Sequence, residues 1–210
     1  MRLINGVVTA LVTNVNDPRK QGRVKITFRW LSKTHETDFI RIATPMAGNG
    51  RGAFFIPEVG DEVLVAFEGG DVRSPFVLGS LWNEKDPPPI EGIDTNVRRI
   101  KTVAGHIIEL DDRGQSSHIR ITTNSGHEVL LDDSPGNQKM EIVDKSGANS
   151  ITIESQPPKI TIANTQGDIH LSAPTGTLTI EATNVAIKGA TVEIKSQGPL
   201  LLRGAVINLN

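Results

Sequence analysis

Two histidines stand at equivalent places in a repeated motif, each followed by carboxylates. The motif reads AGHIIELDD at His106 and SGHEVLLDD at His127. Imidazoles and carboxylates bind divalent metals, so three chains that bring three such histidines to one axis would form an ion site. The alternative is turn chemistry, in which Gly-His opens a strand and Asp-Asp closes it with hydrogen bonds to its own backbone. The turn interpretation is favoured, which leaves His106 and His127 as weak metal candidates and predicts no cofactor.

The acidic residues do not form a catalytic pair. Asp111 and Asp112 are neighbours on an extended segment, where successive side chains point to opposite faces, so they cannot converge on one glycosidic bond. Asp168 and His170 share a face, but no serine context supplies a nucleophile, and a solvated face explains them. The chain has no cysteine, which excludes thiol nucleophiles, zinc–thiolate sites and disulfides. We therefore expect no enzymatic activity.

Composition divides the chain into two parts. Its 210 residues carry 22 basic and 24 acidic side chains, a balance that argues against a cationic nucleic-acid binder and a polybasic membrane anchor. All eight aromatic residues lie between Phe28 and Trp82. Because large aromatic side chains dominate ordinary cores, the aromatic-free remainder is not a normal globular domain. No apolar run is long enough for a membrane helix, and the N-terminus does not have the pattern of a secretion signal.

Residues 1–85 are predicted to form a small closed all-β barrel. In GRVKITFRWL (residues 22–31), apolar and polar residues alternate with the period of a half-buried strand. This alternation places Phe28 and Trp30 in the core. Further strands are predicted at residues 6–15, 39–43, 53–56, 61–70 and 75–80. The glycine-rich residues 48–52 lack the Lys-Ser/Thr of a phosphate-binding loop.

Residues 86–103 are predicted to be a linker and neck, and residues 104–210 a repetitive shaft. Triple proline at 87–89 ends any sheet and stiffens the chain. Gly105, Gly126 and Gly147 recur 21 residues apart, and each repeat holds two short strands with two aliphatic residues each. The twelve aliphatic pairs are Ile108/Leu110, Ile119/Ile121, Val129/Leu131, Met140/Ile142, Ile151/Ile153, Ile160/Ile162, Ile169/Leu171, Leu178/Ile180, Val185/Ile187, Val192/Ile194, Leu200/Leu202 and Ile207/Leu209.

The repeat pattern favours an intertwined trimer over a single-chain solenoid. A solenoid rung needs about 20 or more residues, whereas the aliphatic pairs near the C-terminus are only seven to nine residues apart. Seven residues make one strand and a turn, so the narrow apolar stripes of three chains would meet on a common axis as a triangular prism. The aliphatic pairs are then the expected trimer core.

The sequence resembles the contractile-tail spike family, which includes phage baseplate assembly protein V and the VgrG spikes of type VI secretion. DPRKQGRVKITFRWL (residues 17–31) is similar to the family's D-P-x-x-x-G-R-V-K-V-x-F-x-W. Residues 40–83 resemble the long signature that follows, and the G-H-x-I-x-L-D-D repeats and the ending at residues 188–210 resemble the family's trimeric β-helix. The resemblance implies an N-terminal OB-fold barrel followed by an intertwined trimeric β-helix shaft.

The resemblance also implies partners. These are two further copies of the chain, hub or baseplate proteins at the OB end, a PAAR-type tip protein at the C-terminal end and, transiently, a target membrane, but no nucleic acid. The cap-binding residues would be Val206, Ile207, Asn208, Leu209 and Asn210. No His-x-His iron motif occurs there, which favours a separate cap. The chain starts at the OB fold, as short separate spikes do, and would be made in the cytoplasm and assembled into a tail or virion-like particle.

Three functions stay open at this level. The first is a non-enzymatic, membrane-puncturing spike of a phage tail, a type VI secretion system or an extracellular injection system, in which residues 48–52 dock onto neighbouring baseplate parts or form a plain barrel loop. The second is a trimeric adhesin whose OB domain binds carbohydrate through exposed aromatic residues. The third, a β-helix polysaccharide lyase, is disfavoured by the short chain.

Overall fold

The computed structural model describes residues 3–30, 35–90, 92 and 94–208, and its regular structure is almost entirely β. The first six strands are β1 (Val7–Asn14), β2 (Lys25–Phe28), β3 (Ala47–Gly48), β4 (Arg51–Gly52), β5 (Glu62–Phe67) and β6 (Pro75–Ser80). In these ranges the one helical element is a 3-10 turn at Glu68–Gly70. No helix in the described part of the chain is long and apolar enough to cross a membrane.

The N-terminal sheet closes on itself through a short extended segment. Its hydrogen-bonded order is β2-β1-β5-β6. Val24 and Ile40 exchange backbone hydrogen bonds of 3.1 and 2.8 Å beside β2, while Val77 of β6 donates to Arg41 and accepts from Ala43. Residues 40–43 therefore bridge the two outer strands, which confirms the predicted closed barrel, although they form isolated bridges rather than a full strand.

Alternation in β2 and β5 fills the barrel interior. Ile26 and Phe28 of β2 are buried, as are Val63, Val65 and Phe67 of β5, because every second side chain of a strand points to the same face. These residues join the other members of one apolar core, which are Ala10, Val12, Val24, Ile40 and Val77.

Besides the strand predicted at residues 39–43, two further predictions within this barrel are wrong. Trp30 is 52 % exposed rather than in the core, because β2 ends at Phe28 and the alternation stops with it. The Trp30 ring instead stacks on Phe28, with ring centroids 5.2 Å apart. Residues 53–56 form an extended loop instead of a strand, and the regular pairing nearby is the two-residue ladder of β3 with β4.

The loop after β1 is organised by one carboxylate. Asp17 accepts hydrogen bonds from the backbone N–H groups of Arg19 and Gln21 at 3.0 and 2.9 Å. It also accepts two from the Arg23 guanidinium, at 3.0 Å from Nε and 2.7 Å from Nη2. The chain reverses at Gly22, whose φ of +68° lies in the left-handed region. The spacing D-P-x-x-x-G-R is thus a physical unit in which Arg23 holds the pKa of Asp17 well below its usual range.

Asp17→Asn is expected to lower stability at neutral pH and to flatten its fall in acid. The pKa of Asp17 is depressed in the folded state, so its contribution is fully present above the unfolded value of about 3.9 and is lost as pH falls below it. Urea unfolding between about pH 6 and pH 2.5, followed by tryptophan fluorescence, measures this. Asp38→Asn at an exposed carboxylate is the matched control. Equal acid sensitivity of the Asp17→Asn variant and the parent would contradict the assignment.

The shaft begins as a single antiparallel meander. Its strands follow one another in sheet order from β7 to β13. They are β7 (Val97–Lys101), β8 (Ile107–Asp111), β9 (His118–Thr122), β10 (Glu128–Asp132), β11 (Lys139–Val143), β12 (Asn149–Ser155) and β13 (Pro158–Asn164). Six of these strands match the predicted aliphatic pairs. The seventh strand, β7, lies inside the predicted neck. It was not predicted as a strand because the two aliphatic residues of VRRIK are three positions apart, which does not show the period of two.

The chain divides into two compact units, residues 1–162 and residues 163–210. In the second unit, β13 ends at Asn164 and no described residue from 165 to 208 belongs to a strand. All of these residues are exposed. The predicted strands from Ile169 onward are therefore not paired within one chain.

Candidate assembly interface

One face of the shaft sheet is a continuous apolar surface. The pairing registers place Leu110, Ile119, Leu131, Met140 and Ile153 opposite one another in one row across five strands. A second row runs beside it, through Ile100, Ile108, Ile121, Val129, Ile142 and Ile151. We call these two rows together the apolar face.

The apolar face is uncovered in the single chain. Exposure of its side chains ranges from 36 % at Val129 to 54 % at Met140, and on β13 the exposed fractions of Ile160 and Ile162 are 69 % and 57 %. Isolated exposed aliphatic side chains are ordinary, but a contiguous apolar surface marks an interaction site. The residues predicted as trimer core between Ile108 and Ile153 are thus brought together on one surface, although one chain does not bury them.

The predicted core residues of the second unit, residues 163–210, are not buried in one chain either; we call it the distal unit because it lies last along the chain. Each of them is more than half exposed, and these residues are Ile169, Leu171, Leu178, Ile180, Val185, Ile187, Val192, Ile194, Leu200 and Leu202. The physical reason is that the described backbone beyond Asn164 forms no strand, so it has no sheet face on which aliphatic side chains could pack. A trimer core at these positions stays a prediction.

The distal backbone lacks partners as well. Extended backbone needs hydrogen-bond partners when it is buried, and none of the described residues beyond Asn164 finds a strand partner in its own chain. At the predicted tip, Val206, Ile207 and Asn208 are exposed, while Leu209 and Asn210 lie outside the described residues.

His106 and His127 make the same contact one repeat apart. The Nδ1 atom of His106 accepts the backbone N–H of Asn124 at 3.2 Å. In the next repeat, Nδ1 of His127 accepts the N–H of Lys145, also at 3.2 Å. Each ring therefore links its own turn to the following turn, 18 residues away. The glycine before each histidine has a φ above +90°, and at Gly105 a Cβ would lie 2.9 Å from Asn124 Oδ1.

The acidic residues at the strand ends act as turn caps. Asp111 accepts the N–H of Arg113 at 2.9 Å, and Asp132 accepts that of Ser134 at 2.8 Å. Hydrogen bonds from the Arg113 side chain lower the pKa of Asp111 to about 2. The predicted turn chemistry of the repeat is confirmed. In the described part of one chain, no three His, Cys, Asp or Glu side chains converge on a metal position, and an ion held by three chains stays a prediction.

Replacing His106 or His127 by Ala is expected to destabilise the shaft by about 1 kcal/mol each, since a neighbouring turn N–H loses its acceptor. Thermal unfolding at matched protein concentration measures the loss. His170→Ala, in the exposed distal unit, is the control and should leave the midpoint unchanged. Unchanged midpoints for both turn variants would show that the ring contacts do not stabilise the turns.

The barrel carries a second exposed apolar feature at its glycine-rich hairpin. Phe54 and Phe55 follow β4 and are 80 % and 69 % exposed, and Met46 before β3 is 54 % exposed. A Cβ on Gly48 would lie 2.9 Å from Nε of Arg51, so the Arg51 side chain folds over the hairpin backbone. The hairpin and its phenylalanines therefore form an exposed apolar surface beside the basic side chain of Arg51.

Comparison with known proteins decides what kind of barrel this is. The family model for the type VI secretion system and phage-baseplate injector OB domain matches residues 8–82. The barrel is therefore similar to the OB domain of VgrG-like baseplate and spike proteins. This match runs from residue 8, within β1, past the end of β6, and it includes the Asp17 loop and the exposed hairpin.

Curated relatives agree with this assignment. The chain is similar to the type VI secretion system spike protein VgrG4b of Pseudomonas aeruginosa, with 40 % identity over 76 residues, covering 34 % of this chain and 9 % of the relative. VgrG1b of the same organism is 31 % identical over 97 residues, which cover 42 % and 13 %. VgrG3 of Vibrio cholerae is 32 % identical over 89 residues, which cover 40 % and 9 %. The match spans about a tenth of each relative's length.

Sequence reasoning missed one group of residues in the shaft. Arg99, Glu109 and His118 meet on the charged face of the sheet, opposite the apolar face. Glu109 and His118 occupy outward positions of two predicted strands, so their shared face was predictable. Arg99 was not, because β7 itself carries no apolar alternation.

Proposed function

We propose that this chain is the central spike of a contractile injection apparatus and acts as a non-enzymatic homotrimer. The OB domain joins the spike to hub or baseplate proteins, and the trimeric β-helix shaft pierces the target envelope. The observation that carries the proposal is the apolar face, two aliphatic rows wide and uncovered in the single chain. The relatives named as type VI secretion spike proteins support the same role.

The width of the apolar face supports a prism of three sheets. Each strand from β8 to β12 contributes two aliphatic side chains, so one chain offers a narrow stripe rather than a broad sandwich face. Three such stripes turned towards one axis cover one another, with the charged faces outside. Strands in a sheet are about 4.7 Å apart, so the seven-stranded part extends roughly 28 Å along the axis.

The distal unit supports intertwining of the three chains. Beyond Asn164 the aliphatic pairs recur every seven to nine residues, which is too short for a strand to return to its own chain. The hydrogen-bond partners of this backbone then come from other copies, in contrast to the meander, where each chain pairs with itself. The shaft would thus have a proximal part of three self-paired sheets and a distal part in which the chains wind around one another.

The ends of the spike face different partners. At the distal end, Val206, Ile207 and Asn208, together with Leu209 and Asn210 beyond the described residues, would meet a PAAR-type cap, since an open β-prism exposes strand edges and apolar ends. At the proximal end, Phe54, Phe55 and the hairpin would dock onto hub proteins. Contact with a membrane is transient, and no nucleic acid is involved.

The native mass of the full chain tests the oligomeric state. Light scattering or native mass spectrometry should give three times the chain mass of 22.7 kDa. The value should persist in mild denaturant, because the shared core must be broken in all three chains together. A stable monomer would overturn the spike proposal.

A charge on the apolar face is expected to abolish the trimer. Ile151→Asp would place three carboxylates near the shared axis, where unpaired charges are costly to bury. Ser150→Asp, one residue earlier and on the charged face, is the matched control and should remain trimeric. Heat-resistant trimers of the Ile151→Asp variant, seen by size-exclusion chromatography after heating, would show that this face is not the core.

A carbohydrate-binding adhesin is the second candidate, and one observation favours it. Phe54, Phe55 and Trp82 are each at least 69 % exposed, and exposed aromatic rings on OB folds are platforms for sugars. A glycan array probed with the full-length protein separates the two functions. Specific glycan binding that is lost in Phe54→Ala would favour the adhesin, and its absence favours a hub contact for the same hairpin.

A further inference from the structure

An open groove lies on the barrel between the Asp17 loop and the hairpin of β3 and β4. Its volume is about 650 Å³, which falls within the roughly 300–1,000 Å³ of common ligand sites. The floor of the groove includes Ile42 and Ile56, which are half-buried and pack against the barrel core. Because this floor rests on the core, the groove is part of the folded barrel rather than a product of binding.

Each wall of the groove carries one cation. Lys20 lines it from the Asp17 loop and Arg51 lines it from the hairpin, and both residues are exposed. Neither forms a salt bridge with a described carboxylate, whereas Arg23 of the same loop is paired with Asp17. No carboxylate is among the described residues that line the groove. The groove therefore has an excess of two positive charges beside an apolar floor.

The backbone that carries these cations is fixed by local contacts. Among the described non-glycine residues, Lys20 alone has a positive φ, of +53°. Its N–H donates a hydrogen bond of 3.0 Å to the carbonyl of Asp17, so the turn imposes this unfavourable conformation. Such residues persist where the surrounding structure fixes them, and they concentrate at binding sites. On the other wall, the Arg51 side chain lies over Gly48, where a Cβ would be 2.9 Å from Nε.

One side of the groove has unpaired backbone. The pairing of the hairpin ends at Ala53, whose N–H donates to the Met46 carbonyl at 3.0 Å and whose carbonyl accepts from Thr44 Oγ1 at 2.7 Å. The next three residues, 54–56, make no backbone hydrogen bond with another described residue. Phe54 and Phe55 are exposed at the same place. Unpaired backbone beside exposed apolar side chains is a place where an incoming extended chain can add.

We propose that this groove binds an extended acidic segment of a partner protein. The backbone of the segment pairs with residues 54–56, its aliphatic side chains pack on the phenylalanine rings and the floor, and its carboxylates meet Lys20 and Arg51. Charge complementarity selects such a segment over a basic one. That the segment belongs to a hub or baseplate protein rests on the function proposed above, whereas the chemistry of the groove does not.

Peptide binding to the full-length protein tests the groove. The probe is a fluorescein-labelled peptide of four Glu-Val repeats, and its matched control carries Lys in place of Glu. Fluorescence anisotropy should show binding of the acidic peptide and not of the basic one, with an affinity that falls as the salt concentration rises. Phe55→Ala should weaken this binding about tenfold, as the loss of an apolar interface anchor does.

Reversal of the two charges identifies the site. In the double variant Lys20→Glu with Arg51→Glu, the preference should switch to the basic peptide, because both changes are at exposed positions and leave the apolar floor intact. Lys85→Glu, at an exposed position that does not line the groove, is the matched control and should bind like the parent. Circular dichroism confirms that each variant is folded. Unchanged binding of the acidic peptide by the folded double variant overturns the proposal, as does no binding by the parent up to about 1 mM peptide.

The outcome is independent of the native mass of the chain. A trimer that binds no acidic peptide overturns the groove and leaves the spike proposal standing, and this includes the case in which a second copy of the chain already fills the groove. A stable monomer that binds the acidic peptide supports the groove and overturns the spike.

Discussion

A sheet one layer thick cannot cover its own apolar face, and the rest of this structure depends on that limit. From β8 to β12 each strand places two aliphatic side chains on the same side, and the antiparallel registers stack them into two unbroken rows. The described part of the single chain lays nothing over these rows. In the proposed trimer the hydrophobic effect would drive association of identical chains, because the same stripe repeated around an axis is its own complement.

The barrel and the shaft differ in how far one chain buries its own apolar side chains. The barrel buries Ile26, Val63 and Val65 completely within one chain, so it is equipped to fold alone. The two parts of the shaft differ in the same respect. The meander makes its backbone hydrogen bonds within the chain but leaves its apolar face exposed. In the distal unit, neither the strand hydrogen bonds nor the packing of the aliphatic side chains is made within the chain. The share of apolar side chains left uncovered within one chain thus grows from the N-terminus towards the C-terminus.

Recurrent hydrogen-bond motifs stabilise the turns of both parts. An aspartate that caps its own turn and takes an arginine two residues later occurs at Asp71–Arg73 in the barrel and again at Asp111–Arg113 in the shaft. The His106 and His127 rings tie consecutive turns together. The charged side chains in these contacts therefore fix the geometry of turns.

The sequence by itself determined the class of both parts. Alternation in GRVKITFRWL and the spacing of the aliphatic pairs are enough to predict a closed barrel and a shaft with one apolar stripe, because period-two patterns map directly onto the two faces of a strand. The D-P-x-x-x-G-R spacing and the Gly-His motifs also contain, in residues close along the sequence, the groups that form the hydrogen bonds of their turns. Only the tertiary structure decided where these patterns end. It showed that Trp30 lies outside the barrel core once β2 stops, that β7 belongs to the sheet despite its three basic residues, and that Arg99, Glu109 and His118 meet, since contacts across three strands depend on register rather than on neighbouring residues.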